Sequence, residues 1–140
     1  MITAMRLGMD FAIATPPGYE PNPAMVDAAR EISSTMGSTV AVTTDAAEAV
    51  SGADAVYTDV WASMGQEHEA IERRARFHPY QVNEALMGKA RPDAVFMHCL
   101  PAKRNQETTD GVMESHQSVV FDQAENRLHA QKALLLMLLG

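Results

Sequence analysis

An acidic loop, residues 59–67, is the first segment of this 140-residue chain whose side chains could do chemistry. Asp59 comes four residues before Ser63, which is followed by Met64 and Gly65. This order could present a carboxylate and a tight backbone turn to an ammonium group. The alternative is that Asp59 and Ser63 cap the helix that follows, because both residue types are good N-caps.

Two further segments carry a thiol and a cation. Cys99 is the single cysteine and lies beside a proline-ended loop. It could act as a nucleophile or a base, although a lone cysteine is usually a small buried hydrophobe. Arg127 lies near the start of the last predicted helix, where a cation is electrostatically disfavoured. An anionic or polar ligand would explain that placement, and so would a salt bridge to Glu125 or Asp122.

The loops with Asp59 and Cys99 each follow a predicted strand. Short β-type runs alternate with longer helical segments along the chain, which is the pattern of a parallel sheet with crossover helices. The predicted strands are 11–15, 39–43, 53–59, 94–98 and 118–121, and the predicted helices are 2–7, 23–36, 45–50, 67–77, 80–87, 109–114 and 122–139. Ligands bind beyond the carboxyl ends of parallel strands, so we expect the two loops to share one crevice.

The predicted fold is therefore of the α/β class. We expect a doubly wound, mostly parallel, Rossmann-like sheet of about five strands with helices on both faces. The chain shows no linker and no internal repeat, and its length suits one core, so a single domain over 1–140 is predicted. Residues 2–7 look like the last turns of a crossover helix that ends at Gly8.

Composition argues against several classes of function. Eleven Lys and Arg against eighteen Asp and Glu give a net charge of −7, which disfavours a nucleic-acid or anionic-membrane surface. The longest apolar run, 133–139, is far shorter than the roughly 20 residues of a membrane-spanning helix. A single cysteine forms no internal disulfide, and no signal-peptide pattern begins the chain, so we expect a cytoplasmic protein.

Four motifs occur in the order and spacing found in one enzyme family. They are Tyr-Thr-Asp-Val-Trp-Ala-Ser-Met-Gly-Gln-Glu at 57–67, Pro-Tyr-Gln-Val-Asn at 79–83, His-Cys-Leu-Pro at 98–101 and Phe-Asp-Gln-Ala-Glu-Asn-Arg-Leu-His at 121–129. Together they resemble ornithine carbamoyltransferases, of the aspartate/ornithine carbamoyltransferase superfamily. The resemblance runs from about residue 7 to 138 and matches only the family's C-terminal, ornithine-binding domain. Aspartate carbamoyltransferases carry His-Pro-Leu-Pro at 98–101, so the resemblance favours ornithine as the acceptor.

The resemblance also implies roles for individual residues. Ornithine would be held by Asp59, Ser63 and Met64, and carbamoyl phosphate would be faced by Cys99, Leu100 and Arg127. The ornithine side-chain amine must lose a proton before it attacks the carbamoyl carbon, and either Asp59 or Cys99 could accept that proton. The family's usual assignment is the cysteine. The Arg127 guanidinium would stabilise charge on the carbonyl oxygen. No metal and no organic cofactor is implied.

Part of the family's machinery does not occur in this sequence. The family's N-terminal domain grips carbamoyl phosphate with a Ser-x-Arg-Thr loop and a His-Pro-x-Gln motif, and Ser-x-Arg-Thr is absent. His78-Pro79-Tyr80-Gln81 fits the second pattern, but we reject that match because it lies within the motif at 79–83. The first strand of the family's C-terminal domain is also missing. An open strand edge beside it predicts modest stability or self-association.

The resemblance therefore predicts ornithine carbamoyltransferase chemistry with only the amino-acid-binding part present. We expect this chain alone to form no citrulline, and we expect the intact enzyme to be a homotrimer. Three alternatives stay open: a non-catalytic ornithine-binding module, one half of a split enzyme, and a truncated reading frame.

Overall fold

A computed structural model of the protein describes residues 1–62, 65 and 67–140. The described residues form two compact units, Met1–Ser51 and Gly52–Gly140. Each unit contains a pair of parallel strands joined by a connection that includes helix. None of the helices in the described ranges is long and apolar enough to cross a membrane.

The first unit is built around two parallel strands. Its elements are α1 (Ile2–Arg6), β1 (Phe11–Ala14), α2 (Pro23–Met36), β2 (Val40–Thr43) and α3 (Ala46–Val50). In the register of the pair, Phe11 lies opposite Val40 and Ala14 lies opposite Thr43. The fully buried Met5 of α1 and Ala29 of α2 belong to the core of the protein.

Local sequence signals set the bounds of α2. The Asn22 side chain accepts a hydrogen bond from the Ala24 N–H, and Pro23 stands at the first helical position, where its missing N–H costs no bond. At the other end Gly37 has φ 70°, a left-handed conformation that glycine adopts without steric cost. The predicted bounds of this helix are confirmed.

The second unit contains the other strand pair and most of the helices. Its elements are β3 (Ala55–Thr58), a 3-10 turn (Glu67–Glu69), α4 (Ala70–Phe77), a second 3-10 turn (His78–Tyr80), α5 (Glu84–Met87), β4 (Val95–His98), α6 (Asp110–Met113) and α7 (Val120–Leu139). Strands β3 and β4 run parallel, with Ala55 opposite Val95 and Thr58 opposite His98. Both strands therefore end at the same edge. Phe96, fully buried, lies at the centre of β4.

The α/β class with parallel strands is confirmed. Where one sheet of about five strands was predicted, the described residues pair as two two-stranded parallel sheets, β1–β2 and β3–β4. Two local predictions are wrong. The predicted fifth strand, 118–121, is reduced to an isolated bridge between Ser118 and Phe96, and α7 begins at Val120. Val119 donates its N–H to the Phe96 carbonyl, and the next residue, Val120, is fully buried at the start of the helix. The predicted helix 80–87 begins only at Glu84, because Val82 forms a parallel bridge with Thr108.

Candidate active site

The edge where β3 and β4 end brings Asp59 and Cys99 together. Thr58 and His98 are partners in the strand register, so the next residue on each strand lies at the same edge. The Cys99 thiol donates a hydrogen bond to Asp59, with 3.0 Å between Sγ and Oδ1. The predicted meeting of the two loops is thus observed at these two residues.

The environment of the thiol favours its protonated form. Burial, followed by the hydrogen bond to Asp59, raises the pKa of Cys99 above its ordinary range, while a hydrogen bond with Tyr57 acts in the opposite direction. A thiolate beside the Asp59 carboxylate would meet like-charge repulsion. Cys99 is therefore a hydrogen-bond donor at neutral pH and not a resting thiolate nucleophile.

Two further side chains complete this group and were missed by the sequence analysis. Tyr57 lies beside Cys99 and Gln123, and desolvation by burial, followed by its interactions with Cys99, raises the pKa of Tyr57. Gln123, in the first turns of α7, accepts a hydrogen bond from the His98 backbone N–H at 3.1 Å. We call Tyr57, Asp59, Cys99 and Gln123 the thiol cluster. Strand alternation was the available signal for Tyr57, because residues two apart on a strand share a face.

The turn after β4, residues 98–103, is held by the side chain of His98. Leu100 has φ 52° and donates its backbone N–H to His98 Nδ1 at 2.9 Å. On the other side of the ring, His98 Nε2 lies 3.2 Å from Glu107 Oε1, and both side chains are completely buried. The Lys103 N–H donates to the same Glu107 oxygen. Sequence reasoning gave no role to His98 or Glu107.

The remaining predicted site residues stand apart from this group. Ser63 and Met64 lie outside the described residues. Arg127 is exposed on α7, four residues after Gln123 and so on the same helical face. In the described ranges no hydrogen bond or ion pair joins Arg127 to Cys99 or Leu100. The alternative salt bridge from Arg127 to Glu125 is not formed there either, and Glu125 Oε1 lies 3.4 Å from His129 Nε2. The roles given to Ser63, Met64, Leu100 and Arg127 stay predictions.

Among the described residues, no group of three or more His, Cys, Asp and Glu side chains is arranged to hold a metal ion.

Comparison with known proteins gives consistent matches along the chain. The sequence profile of the family described as "Aspartate/ornithine carbamoyltransferase, Asp/Orn binding domain" matches residues 1–138. Ornithine carbamoyltransferase of Methanothermobacter thermautotrophicus is 58% identical over 140 residues, which is 100% of this chain and 46% of that protein. The enzyme of the same name from Geobacillus stearothermophilus is 57% identical over 139 residues, 99% of this chain and 45% of that protein.

Solved structures match at the level of the fold as well. Ornithine carbamoyltransferase from Pyrococcus furiosus superposes with a TM-score of 0.88 at 54% sequence identity, covering 94% of this chain and 42% of that one. The chain thus spans somewhat less than half the length of the relatives it matches.

Proposed function

This chain belongs to the aspartate/ornithine carbamoyltransferase family, and we propose that it is the amino-acid-binding part of an ornithine carbamoyltransferase. That enzyme would transfer the carbamoyl group of carbamoyl phosphate to L-ornithine, giving L-citrulline and phosphate. The observation that carries the proposal is the contact between Asp59 and Cys99 at adjacent strand ends. Relatives at 57% and 58% identity that carry this enzyme's name support the choice of ornithine.

Asp59 is the residue we assign to the ornithine side chain. Its Oδ1 accepts hydrogen bonds from the Cys99 thiol and from the Val60 N–H at 2.7 Å. Both bonds end on one oxygen, so among the described residues Oδ2 is left to accept from a ligand ammonium group. Asp59 is exposed, which gives a ligand access to that oxygen. Ser63 and Met64 would complete the ornithine contacts.

The Cys99 thiol positions the Asp59 carboxylate by donating a hydrogen bond to it. Because the pKa of Cys99 is raised, the sulfur carries a proton at neutral pH and cannot accept one from ornithine. Asp59 is the acceptor that this pair offers. In the reaction the deprotonated amine nitrogen bonds to the carbamoyl carbon, and the bond from that carbon to the phosphate oxygen breaks. Arg127 would stabilise the carbonyl oxygen, an effect typically worth about 3 kcal/mol for one well-aimed donor.

The relatives have another half, and we propose that it supplies the carbamoyl-phosphate-binding domain. The last two turns of α7 are a suitable docking element, because six consecutive apolar residues, Leu134–Leu139, are all exposed. Consecutive helical residues point in successive directions about 100° apart, so this segment is apolar on every side. A single copy of the same helix would cover one side only, whereas a groove in a second domain would enclose it.

The family resemblance supports three coarser proposals about the intact enzyme. We propose that it works in the cytoplasm, that it is a homotrimer, and that it takes part in arginine metabolism. The resemblance implies no metal and no organic cofactor for the proposed reaction.

Complementation tests the proposed reaction. The chain is mixed with the separately produced N-terminal half of the Geobacillus stearothermophilus relative, and citrulline formed from ornithine and carbamoyl phosphate is measured. We expect no citrulline above background from either part alone and a clear rate from the mixture. An Asp59→Ala chain should restore nothing, while the control Asp54→Ala, an exposed acid paired with Arg91, should behave as wild type. An inactive mixture of two folded parts would contradict the proposal. If the mixture were inactive but the wild-type chain alone bound ornithine, the alternative of a non-catalytic ornithine-binding module would be favoured.

A further inference from the structure

The buried pair His98 and Glu107 has a geometry that stability alone does not explain. Both side chains have no exposed surface, and burying a carboxylate costs free energy unless hydrogen bonds compensate it. Glu107 Oε1 accepts two hydrogen bonds, but Oε2 is buried with no partner among the described residues. A buried carboxylate with one oxygen left unsatisfied is a costly way to fill a core, so the contribution of Glu107 lies in the two groups that Oε1 holds.

Hydrogen bonding fixes the tautomer of His98. Nδ1 accepts the Leu100 N–H, and a ring nitrogen that accepts a hydrogen bond carries no proton. The proton of the neutral ring therefore lies on Nε2, which faces Glu107 and donates to it. The carboxylate thus selects the one tautomer that can accept from Leu100.

The same carboxylate closes the turn at its other end. Lys103, the residue that ends the turn 98–103, donates its backbone N–H to Glu107 Oε1. Leu100 at the centre of this turn has a positive φ, which is uncommon for a residue with a side chain and persists where surrounding contacts enforce it. Its N–H bond to His98 is such a contact, and it lies one residue from the thiol.

Glu107 is itself well anchored. Its carbonyl accepts the Val82 N–H at 2.9 Å, and the Gln81 side chain donates to the neighbouring Gln106 carbonyl at 2.8 Å. These contacts attach the carboxylate to the segment before α5, outside the turn that it holds.

We infer that Glu107 is a positioning residue for the active-site turn, acting through His98 and the Lys103 N–H to hold Cys99 and Leu100 where the thiol meets Asp59. Glu107 touches no reactant in this assignment. The inference rests on the proposed function only for what the turn is used for, because the contacts themselves involve no substrate.

The tautomer of His98 in the wild-type chain is the first test. Long-range nitrogen–proton NMR correlations of the His98 ring distinguish a neutral ring protonated on Nε2 from one protonated on Nδ1 and from an imidazolium. We expect the Nε2–H form at neutral pH. Either of the other two forms would overturn the inference, and no variant has to fold for this result.

Variants then test whether Glu107 holds the turn. In Glu107→Leu we expect loss of the fixed tautomer and a several-fold faster alkylation of Cys99 at neutral pH, since a displaced thiol loses the burial and the Asp59 contact that raise its pKa. Glu107→Gln keeps an acceptor oxygen and should stay close to the wild-type rate. The control Glu114→Gln breaks only an exposed pair with Arg104 and should change neither readout.

A purely structural role would give a different pattern. A folded Glu107→Leu chain with the wild-type tautomer and alkylation rate would overturn the inference. If that variant does not fold, a folded Glu107→Gln chain in which the Cys99 alkylation rate changes while His98 keeps its tautomer would overturn the inference, because the thiol would then respond to Glu107 without His98. Ornithine is absent from both measurements, so a failed citrulline assay and a failed positioning test remain distinguishable.

Discussion

Cys99 and Asp59 are joined by a hydrogen bond from thiol to carboxylate across the ends of two parallel strands, with 3.0 Å between Sγ and Oδ1. Tyr57 and Gln123 are the other two members of the thiol cluster. Glu107 contacts His98, the residue before Cys99. The pair links the two halves of the proposed reaction, because Asp59 is assigned to ornithine and Cys99 to the carbamoyl side.

Replacing Asp59 by Asn should lower the pKa of Cys99. The carboxylate raises that pKa through its hydrogen bond and its charge, and an amide removes the charge while keeping an acceptor oxygen. Alkylation of the thiol measured against pH reports the change as a shift of the rate midpoint to lower pH. The control Asp54→Asn removes an exposed charge on the other end of the same strand and should leave the midpoint in place. Equal midpoints in all three chains would show that Asp59 does not act on the thiol.

Stability should fall as the solution becomes alkaline. The pKa values of Cys99 and Tyr57 are both raised by folding, so their contribution to the free energy of unfolding is complete below the ordinary values. As the pH rises from about 8.5, the unfolded thiol loses its proton while the folded one retains it, and the contribution is lost through the folded pKa. Denaturant unfolding at a series of pH values measures this slope. A Cys99→Ser chain should show a shallower alkaline loss, and an unchanged slope would contradict the assignment.

Arg127→Ala should separate chemistry from ornithine binding. If the guanidinium serves only the carbamoyl oxygen, its loss lowers kcat in the complemented enzyme by roughly 100-fold, the usual effect of removing one such donor. Ornithine affinity measured by calorimetry should be unchanged. Lys132→Ala, an exposed cation later on the same helix, is the matched control. Equal losses of affinity and turnover would show that the roles of Asp59 and Arg127 are wrongly divided.

The exposed apolar end of α7 should make the separate chain self-associate. Leu135 and Leu138 are 56% and 70% exposed, and apolar patches of this kind associate in water. Sedimentation at increasing concentration should show a rising average mass, and Leu135→Glu with Leu138→Glu should return the chain toward a monomer. Ile71→Glu makes the same change at a residue that is 88% exposed on α4 and should have no such effect. A wild-type chain that stays monomeric at all concentrations would contradict this prediction.

Local sequence signals were sufficient for the elements that end at special residues. Asn22, Pro23 and Gly37 fix α2 through contacts within a few residues of each end, so the helix could be predicted from the sequence. The structure of segment 118–121 could not be predicted in this way, because its residues are of β type. The Val119 N–H bonds to the Phe96 carbonyl, and the buried Val120 is already the first residue of α7. That outcome is set by tertiary contacts, which override local preference.

Some residues of the candidate site could likewise be predicted from the sequence, and others could not. Asp59 and Cys99 follow strands, so the rule that ligands bind at carboxyl ends pointed to both. Glu107 follows His98 by nine residues in an irregular segment, where an acid normally faces water. Its burial against His98 depends on the anchoring of 106–107 to 81–82, which no pattern in the sequence indicates.

Ornithine binding by this chain is the most direct test of the account, because it needs no second domain and no turnover. Calorimetric titration with L-ornithine should give saturable binding to the wild-type chain and to Asp54→Ala, and none to Asp59→Ala. A folded wild-type chain that binds no ornithine, or an Asp59→Ala chain that binds it as well as wild type, would contradict the assignment of the acidic loop to the amino acid.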